Sequence, residues 1–196
     1  MACGGCHYQH ADYSAQVDLK QSILREQLRR VGHIQFEGEI RVVTAQATEY
    51  RNRSQFHMEN GQIGYFAEGT HAVVPIEKCL ISSPGINRAL AALRRMLPRF
   101  VKRFELFTNE HEFQLNVLDT GRPLMRRFFD KCSTLLPGVN KPYLDYQVAG
   151  FEYRVGHSAF FQVKRFLLDP LVELATEGAE GESAVDLYAG VGLFSL

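Results

Sequence analysis

Between Ile40 and Val155 the strand-like runs follow one another mostly through tight turns, and this order most narrows the choice of fold. Ile40–Thr44, Arg53–Met58, Gly64–Phe66 and His71–Ile76 are short and rich in β-branched and aromatic residues. Phe104–Phe107, Phe113–Leu118, Leu144–Val148 and Phe151–Val155 continue the pattern. Asn60-Gly61 separates two of these runs, and both residues tolerate the positive φ of a two-residue hairpin. Only two helical patterns interrupt them. One carries Leu90, Leu93 and Leu97 opposite Arg94, Arg95 and Arg99, after the turn Pro84-Gly85. The other runs from Pro123 to Leu136 and is ended by Pro137-Gly138. The centre therefore reads as an antiparallel α+β body and not as a βαβ repeat.

The flanks differ from this body. Residues 12–31 have helical spacing, with Val17, Leu24, Leu28 and Val31 on one stripe, Asp12 or Ser14 as cap and Gly32 as stop. After Phe160-Phe161-Gln162, a helix with Phe166, Leu167, Leu171 and Leu174 leads through glycines into Ser183–Tyr188, which reads as a buried parallel strand. Ala189-Gly190-Val191-Gly192 then turns, and 193–196 reads as a helix just beginning. Such a strand needs sheet neighbours that these residues do not supply, so the sequence reads as truncated. The division expected is an α+β domain over 1–160 and the first part of a Rossmann-like domain over 161–196.

Composition sets the setting. With 45% hydrophobic residues and 22 basic against 22 acidic side chains, the chain is globular and not disordered. No apolar run nears the ~20 residues of a membrane span. The first residues have neither the basic head nor the apolar stretch of a signal peptide. Four cysteines without a secretory signal point to a reducing, cytoplasmic setting. Zero net charge discourages a non-specific polyanion binder.

Four motifs carry chemistry. Asp186-Leu-Tyr-Ala-Gly-Val-Gly192 offers a sharp turn before a helix N-terminus, where free N–H groups and the dipole favour an anion. It is not the dinucleotide fingerprint, because Ser195 stands where the third glycine belongs. The loop suits S-adenosylmethionine, with the methionine carboxylate as the anion; an ordinary tight turn is the plainer alternative. Cys3-Gly-Gly-Cys6 can direct two thiolates at one ion, with Cys79 as the natural third ligand. His7 and His10 could complete a zinc site, a redox pair or an unstructured end remains open, and Cys132 reads as a buried apolar residue. Tyr50-Arg51-Asn52-Arg53 can grip phosphates or stack on bases through Arg51 and Arg53, or be a solvated strand edge. Phe160-Phe161-Gln162 can stack on a planar ring and bond its edge, or pack as a linker.

In this order the motifs, together with Val-Val-Pro-Ile-x-x-Cys and Ser-x-Phe-Phe-Gln, resemble the RNA uridine-C5 methyltransferase family. The likeness is strongest to the branch that modifies 23S ribosomal RNA and carries an iron–sulfur cluster. The resemblance implies a 4Fe–4S cluster held by four cysteines, of which Cys3, Cys6 and Cys79 match three; the first would precede Met1, and Cys132 has no counterpart. It implies S-adenosylmethionine contacts at Gln162, Tyr188, Gly190 and Gly192, with Leu193 where many members have Asn or Thr. It also implies RNA as partner, a monomer, and a helix 12–31 that docks on the methyltransferase domain. The family's RNA-binding β-barrel has no counterpart here. In the family a cysteine attacks uridine C6, C5 takes the methyl group, and a base removes the C5 proton. Both catalytic groups belong to the far end of the methyltransferase domain, so no catalytic residue is expected in this chain, and the chain alone should be inactive. Two rival readings are a non-catalytic RNA-binding module with a structural zinc and a transfer-RNA uridine methyltransferase.

Overall fold

A computed structural model describes residues 3–195. Helix α1 (Tyr13–Arg30) starts where Asp12 Oδ1 accepts from the Ala15 N–H at 2.8 Å and ends with Arg29 and Arg30 at the negative end of its dipole. None of its residues is buried, so the expected apolar stripe is not covered by the body. Instead, residues 34–44 run along it. Gln21 donates to the Ile40 carbonyl at 2.8 Å, and Arg25 donates to the carbonyls of Phe36 and Gly38. Here the expectation of a strand over Ile40–Thr44 is corrected: side chains of α1, not a partner strand, meet its backbone.

The body is a five-stranded antiparallel sheet of β1 (Arg53–Glu59), β2 (Gln62–Phe66), β3 (Val73–Pro75), β4 (Val101–Thr108) and β5 (Phe113–Thr120), in the order β3-β2-β1-β4-β5. Asn60 and Gly61 both take positive φ, 52° and 80°, and pair Glu59 with Gln62. The antiparallel α+β reading is thus borne out. Helix α2 (Pro84–Met96) begins with Ser83 Oγ accepting from Ile86 N–H, with Pro84 in its first turn. It buries Ile86, Ala89, Leu90 and Leu93 against Phe56, Phe104 and Leu106 of the sheet. Each of the larger side chains, Ile86, Leu90 and Leu93, contributes about 1.5–3 kcal/mol of transfer free energy. Helix α3 (Arg126–Ser133) adds Cys132 to the same core.

A second core lies beyond the lower end of the sheet. The hairpin β6 (Tyr143–Val148) and β7 (Phe151–Gly156) packs Tyr146, Tyr153 and Val155 around Phe107 and Phe161, with Leu168 and Val172 from helix α4 (Leu168–Thr176) closing it. The buried face of α4 is therefore Leu168 and Val172, while Leu174 is exposed. Among the described residues no helix is long and apolar enough to cross a membrane.

The expected parallel strand over 183–188 does not form. Among the described residues no strand lies beside it to share a ladder, so Val185 and Leu187 stand 83% and 78% exposed. The helix expected from 193 is likewise replaced by turns, Gly192 N–H to Ala189 carbonyl and Ser195 N–H to Gly192 carbonyl; Leu196 lies outside the described residues.

Candidate functional site

Cys3, Cys6 and Cys79 lie near one another at one corner of the sheet. Cys3 bridges Ala67 just past β2, and the Gly4 N–H donates to the Phe66 carbonyl. A Cβ on Gly4 would come within 2.9 Å of backbone atoms of Phe66 and Glu68, so the close approach requires glycine. Cys79 is held from α2: Asn87 accepts from its N–H at 2.9 Å and donates to its carbonyl at 3.0 Å. Burial pushes the Cys6 thiol upward, the neighbouring Cys79 and Cys3 push further, and Arg51 opposes them. The three thiols predicted as ligands are thus neighbours, reduced and half-buried. Soft thiolates suit an iron–sulfur cluster or zinc. Yet no three His, Cys, Asp or Glu side chains among the described residues are placed to hold one ion. As placed, the set does not close, and His7 and His10 stay exposed.

Tyr50–Arg53 forms a joint between the two cores. Asn52 is fully buried, donates to the Tyr146 hydroxyl at 2.9 Å, and takes its backbone N–H to the Val163 carbonyl. Arg53 turns inward. It donates to the Ala159 carbonyl at 2.6 Å, pairs with Glu105 at 3.5 Å and lies 4.4 Å from the Phe107 ring centroid. Burial lowers its pKa, the Glu105 carboxylate offsetting part of this. Arg51 points toward the cysteine corner with a buried, unpartnered Nε. The two arginines proposed for RNA are therefore a packing residue and a half-buried cation, and the sequence missed the joint made by Asn52.

Phe161 is buried in the second core, whereas Phe160 is 72% exposed on the rim of an open groove of ≈ 1280 Å³. The groove floor is a polar chain in which Asn116 donates to Glu105 at 3.0 Å and faces His157. Gln162 follows half-buried, its carbonyl accepting from Asn52 at 3.4 Å. Gly190 and Gly192 take the positive φ expected of the loop, 62° and 78°. Tyr188 is fully exposed, and the Leu193 carbonyl accepts from the Tyr153 hydroxyl. Among the described residues no hydrogen bond joins Gln162 to this loop, so the predicted cofactor contacts are not brought together.

The arrangement so described defines an antiparallel α+β domain with a thiol corner, a groove and an unpaired glycine loop. In fold it matches the Pyrococcus abyssi tRNA (uracil-54, C5)-methyltransferase, solved in complex with S-adenosyl-L-homocysteine. The TM-score is 0.77 at 23% identity, over 99% of this chain and 55% of that one. No protein-family model matches the chain. In sequence the chain is 27% identical over 232 residues to an RNA methyltransferase of Aquifex aeolicus and 28% identical over 220 residues to one of Streptomyces coelicolor, both so named and otherwise uncharacterized. These alignments cover 99% and 98% of this chain but 52% and 48% of the relatives, so the chain spans about half their length. A third relative so named, from Nitrosomonas europaea, is 37% identical over 98 residues. These relatives accord with the RNA-methyltransferase part of the resemblance.

Proposed function

We propose that the protein methylates C5 of uridine in RNA, most readily 23S ribosomal RNA, with S-adenosylmethionine as methyl donor. The observation that carries this reading is the likeness of nearly the whole chain to proteins named RNA methyltransferases. The order of the motifs supports the uridine-C5 branch, and the neighbour's bound S-adenosyl-L-homocysteine supports the donor. In this reading residues 1–160 are an RNA-contacting domain and 161–196 begin the cofactor domain. Gln162, Tyr188, Gly190 and Gly192 then meet the donor once a sheet forms around 183–188.

The nucleophile is not among the four cysteines of this chain. Cys132 is fully buried and its thiol is pushed up to about 11 by burial, which disfavours the thiolate that must attack. Cys3, Cys6 and Cys79 stand together at the sheet corner, away from the groove lined by Phe160. The reading places the nucleophile and the base in the part of the relatives' length that this chain does not span. A 4Fe–4S cluster at Cys3, Cys6 and Cys79 belongs to the same reading; it rests on three neighbouring thiols alone and enters no chemical step.

The test is transfer of labelled methyl from S-adenosylmethionine by the whole gene product, with nucleoside analysis of the RNA. 5-Methyluridine in 23S RNA is the expected product, and the 196-residue chain alone should yield none. 5-Methyluridine only in transfer RNA would move the substrate to the structural neighbour's class. Methyl on another nucleoside, or product from the chain alone, would overturn the reading.

A further inference from the structure

Strand alternation gives the five-stranded sheet two unlike faces. Ser54, Phe56 and Met58 of β1, with Phe104 and Leu106 of β4, point into the core under α2. The alternate residues Gln55, His57, Arg103 and Glu105 therefore share the opposite face, in the register Gln55↔Glu105 and His57↔Arg103. Phe66 of β2 joins them from the other side, paired with Val73 of β3. The β6–β7 hairpin covers the lower end of this face, at Phe107 and Gln114. Among the described residues no helix or strand covers its upper end, and Lys102 and Arg103 are exposed there.

Four observations give this bare end a chemical character. His57 stacks on Phe66 with ring centroids 3.6 Å apart and an interplanar angle of 24°, and His71 lies T-shaped to Phe66 at 5.3 Å. The β4–β5 register shifts on both sides of Arg103, a bulge that leaves both Lys102 and Arg103 exposed in succession, where regular alternation would bury one of them. Among the described residues neither cation makes an ion pair, although Asp119 stands across from Arg103 in register. Burial lowers the pKa of His57, and the nearby positive charges of Arg103 and His71 lower it further. Cations crowded against one another are relieved by an anion. A stacked aromatic set flanked by unpaired cations on an open sheet matches the needs of splayed bases joined by phosphates.

We propose that this open sheet end is a platform for single-stranded RNA, on which Phe66, His57 and His71 stack bases while Lys102 and Arg103 hold the flanking phosphates. The proposal rests on the RNA-methyltransferase reading and gives its substrate a path. Gln55 and Glu105 belong to the same sheet face and also line the groove that ends at exposed Phe160. A strand lying on the platform therefore leads toward the Phe160–Gln162 segment. A duplex, whose bases are stacked on each other, has none free for the rings.

Fluorescence anisotropy of a labelled single-stranded oligouridylate with the 196-residue chain tests the platform, with a duplex of equal length beside it. The double variant Lys102→Glu/Arg103→Glu should weaken single-strand binding about tenfold or more and flatten its salt dependence by about one contact or more. Phe66→Leu keeps apolar bulk but removes the ring, and should weaken binding about fivefold or more. Arg29→Glu/Arg30→Glu on α1 makes the same charge change elsewhere and should stay within about twofold of the parent. Circular dichroism checks that each variant is folded. The platform is overturned if the chain binds no single-stranded RNA, if it binds duplex equally well, or if the α1 variant loses as much as the β4 variant. Platform-dependent binding without 5-methyluridine formation by the whole gene product would sink the enzyme reading alone. Methylation with platform-independent binding would sink the platform alone.

Discussion

In β1 and β4, Phe56, Phe104 and Leu106 lie fully buried between the sheet and α2, while Val185 and Leu187, no less apolar, stand 83% and 78% exposed. Both stretches have strand-like sequences. The first finds partners within the same hundred residues, through the Asn60-Gly61 hairpin and the β1–β4 pairing. The second finds none among the described residues. Apolar pattern thus states what a segment needs, and the neighbours decide whether the need is met.

The sharpest way to break this comparison is to truncate one side chain in the core that covers β1 and β4 and one in 183–188. Leu90 of α2 has no exposed surface and packs on the sheet core. Leu90→Ala should lower unfolding free energy by about 2–5 kcal/mol in urea titrations, through lost transfer energy and a residual cavity. Leu187→Ala should change it by less than about 0.5 kcal/mol. Equal losses would mean that 183–188 is packed in solution and that the contrast is wrong.

A smaller effect is expected at the joint between the two cores. Asn52→Ala removes the donor to the buried Tyr146 hydroxyl and the link to the Gln162 carbonyl. It should cost about 1–3 kcal/mol, the range for stranding a buried polar partner. Because the joint holds the 159–165 segment, amides of 161–172 should lose hydrogen-exchange protection before those of β1 and β4. Uniform loss across both cores would make Asn52 a residue of the first core only.

What could be read from the sequence follows the same division. The hairpin at Asn60-Gly61, the α2 stripe and the antiparallel order were legible because each depends on residues near in sequence or on one repeating period. The 40–44 stretch reads as a strand from its β-branched residues, but Gln21 of α1 takes the Ile40 carbonyl and no strand pairs with it among the described residues. In the candidate site, the nearness of Cys79 to Cys3-Gly-Gly-Cys6 was legible from chemistry alone. Asn87 as the clamp on Cys79 was not, since one buried amide leaves no periodic trace. Arg53 reads from sequence as a phosphate ligand, and only the distant Glu105, Phe107 and Ala159 reveal it as packing. Lys102 and Arg103 read as a local basic pair, but their place beside Phe66 and His57 depends on the β1–β2 and β1–β4 pairings and on a bulge in β4, none of which a single period shows.

The smallest effect separates the buried thiol of the body from the half-exposed thiols at its corner. Cys132 is enclosed with Leu136 in the sheet core, and burial lifts its thiol from 9.0 to about 11. An acid whose folded pKa is raised stabilises the fold while both states keep the proton. That advantage is lost as pH rises from 9.0 toward about 11, because the unfolded chain releases the proton first. Unfolding midpoints should therefore fall over this window, and Cys132→Ala should fall less steeply across it than the parent despite starting lower. In the native chain at neutral pH, mass spectrometry after alkylation should find Cys3, Cys6 and Cys79 modified before Cys132, which is fully buried while they are half-exposed. If Cys132 reacts as fast as the others, the core around α3 opens on the timescale of the reagent. The contrast between a closed body and an unmatched tail would then have to be drawn inside the body itself.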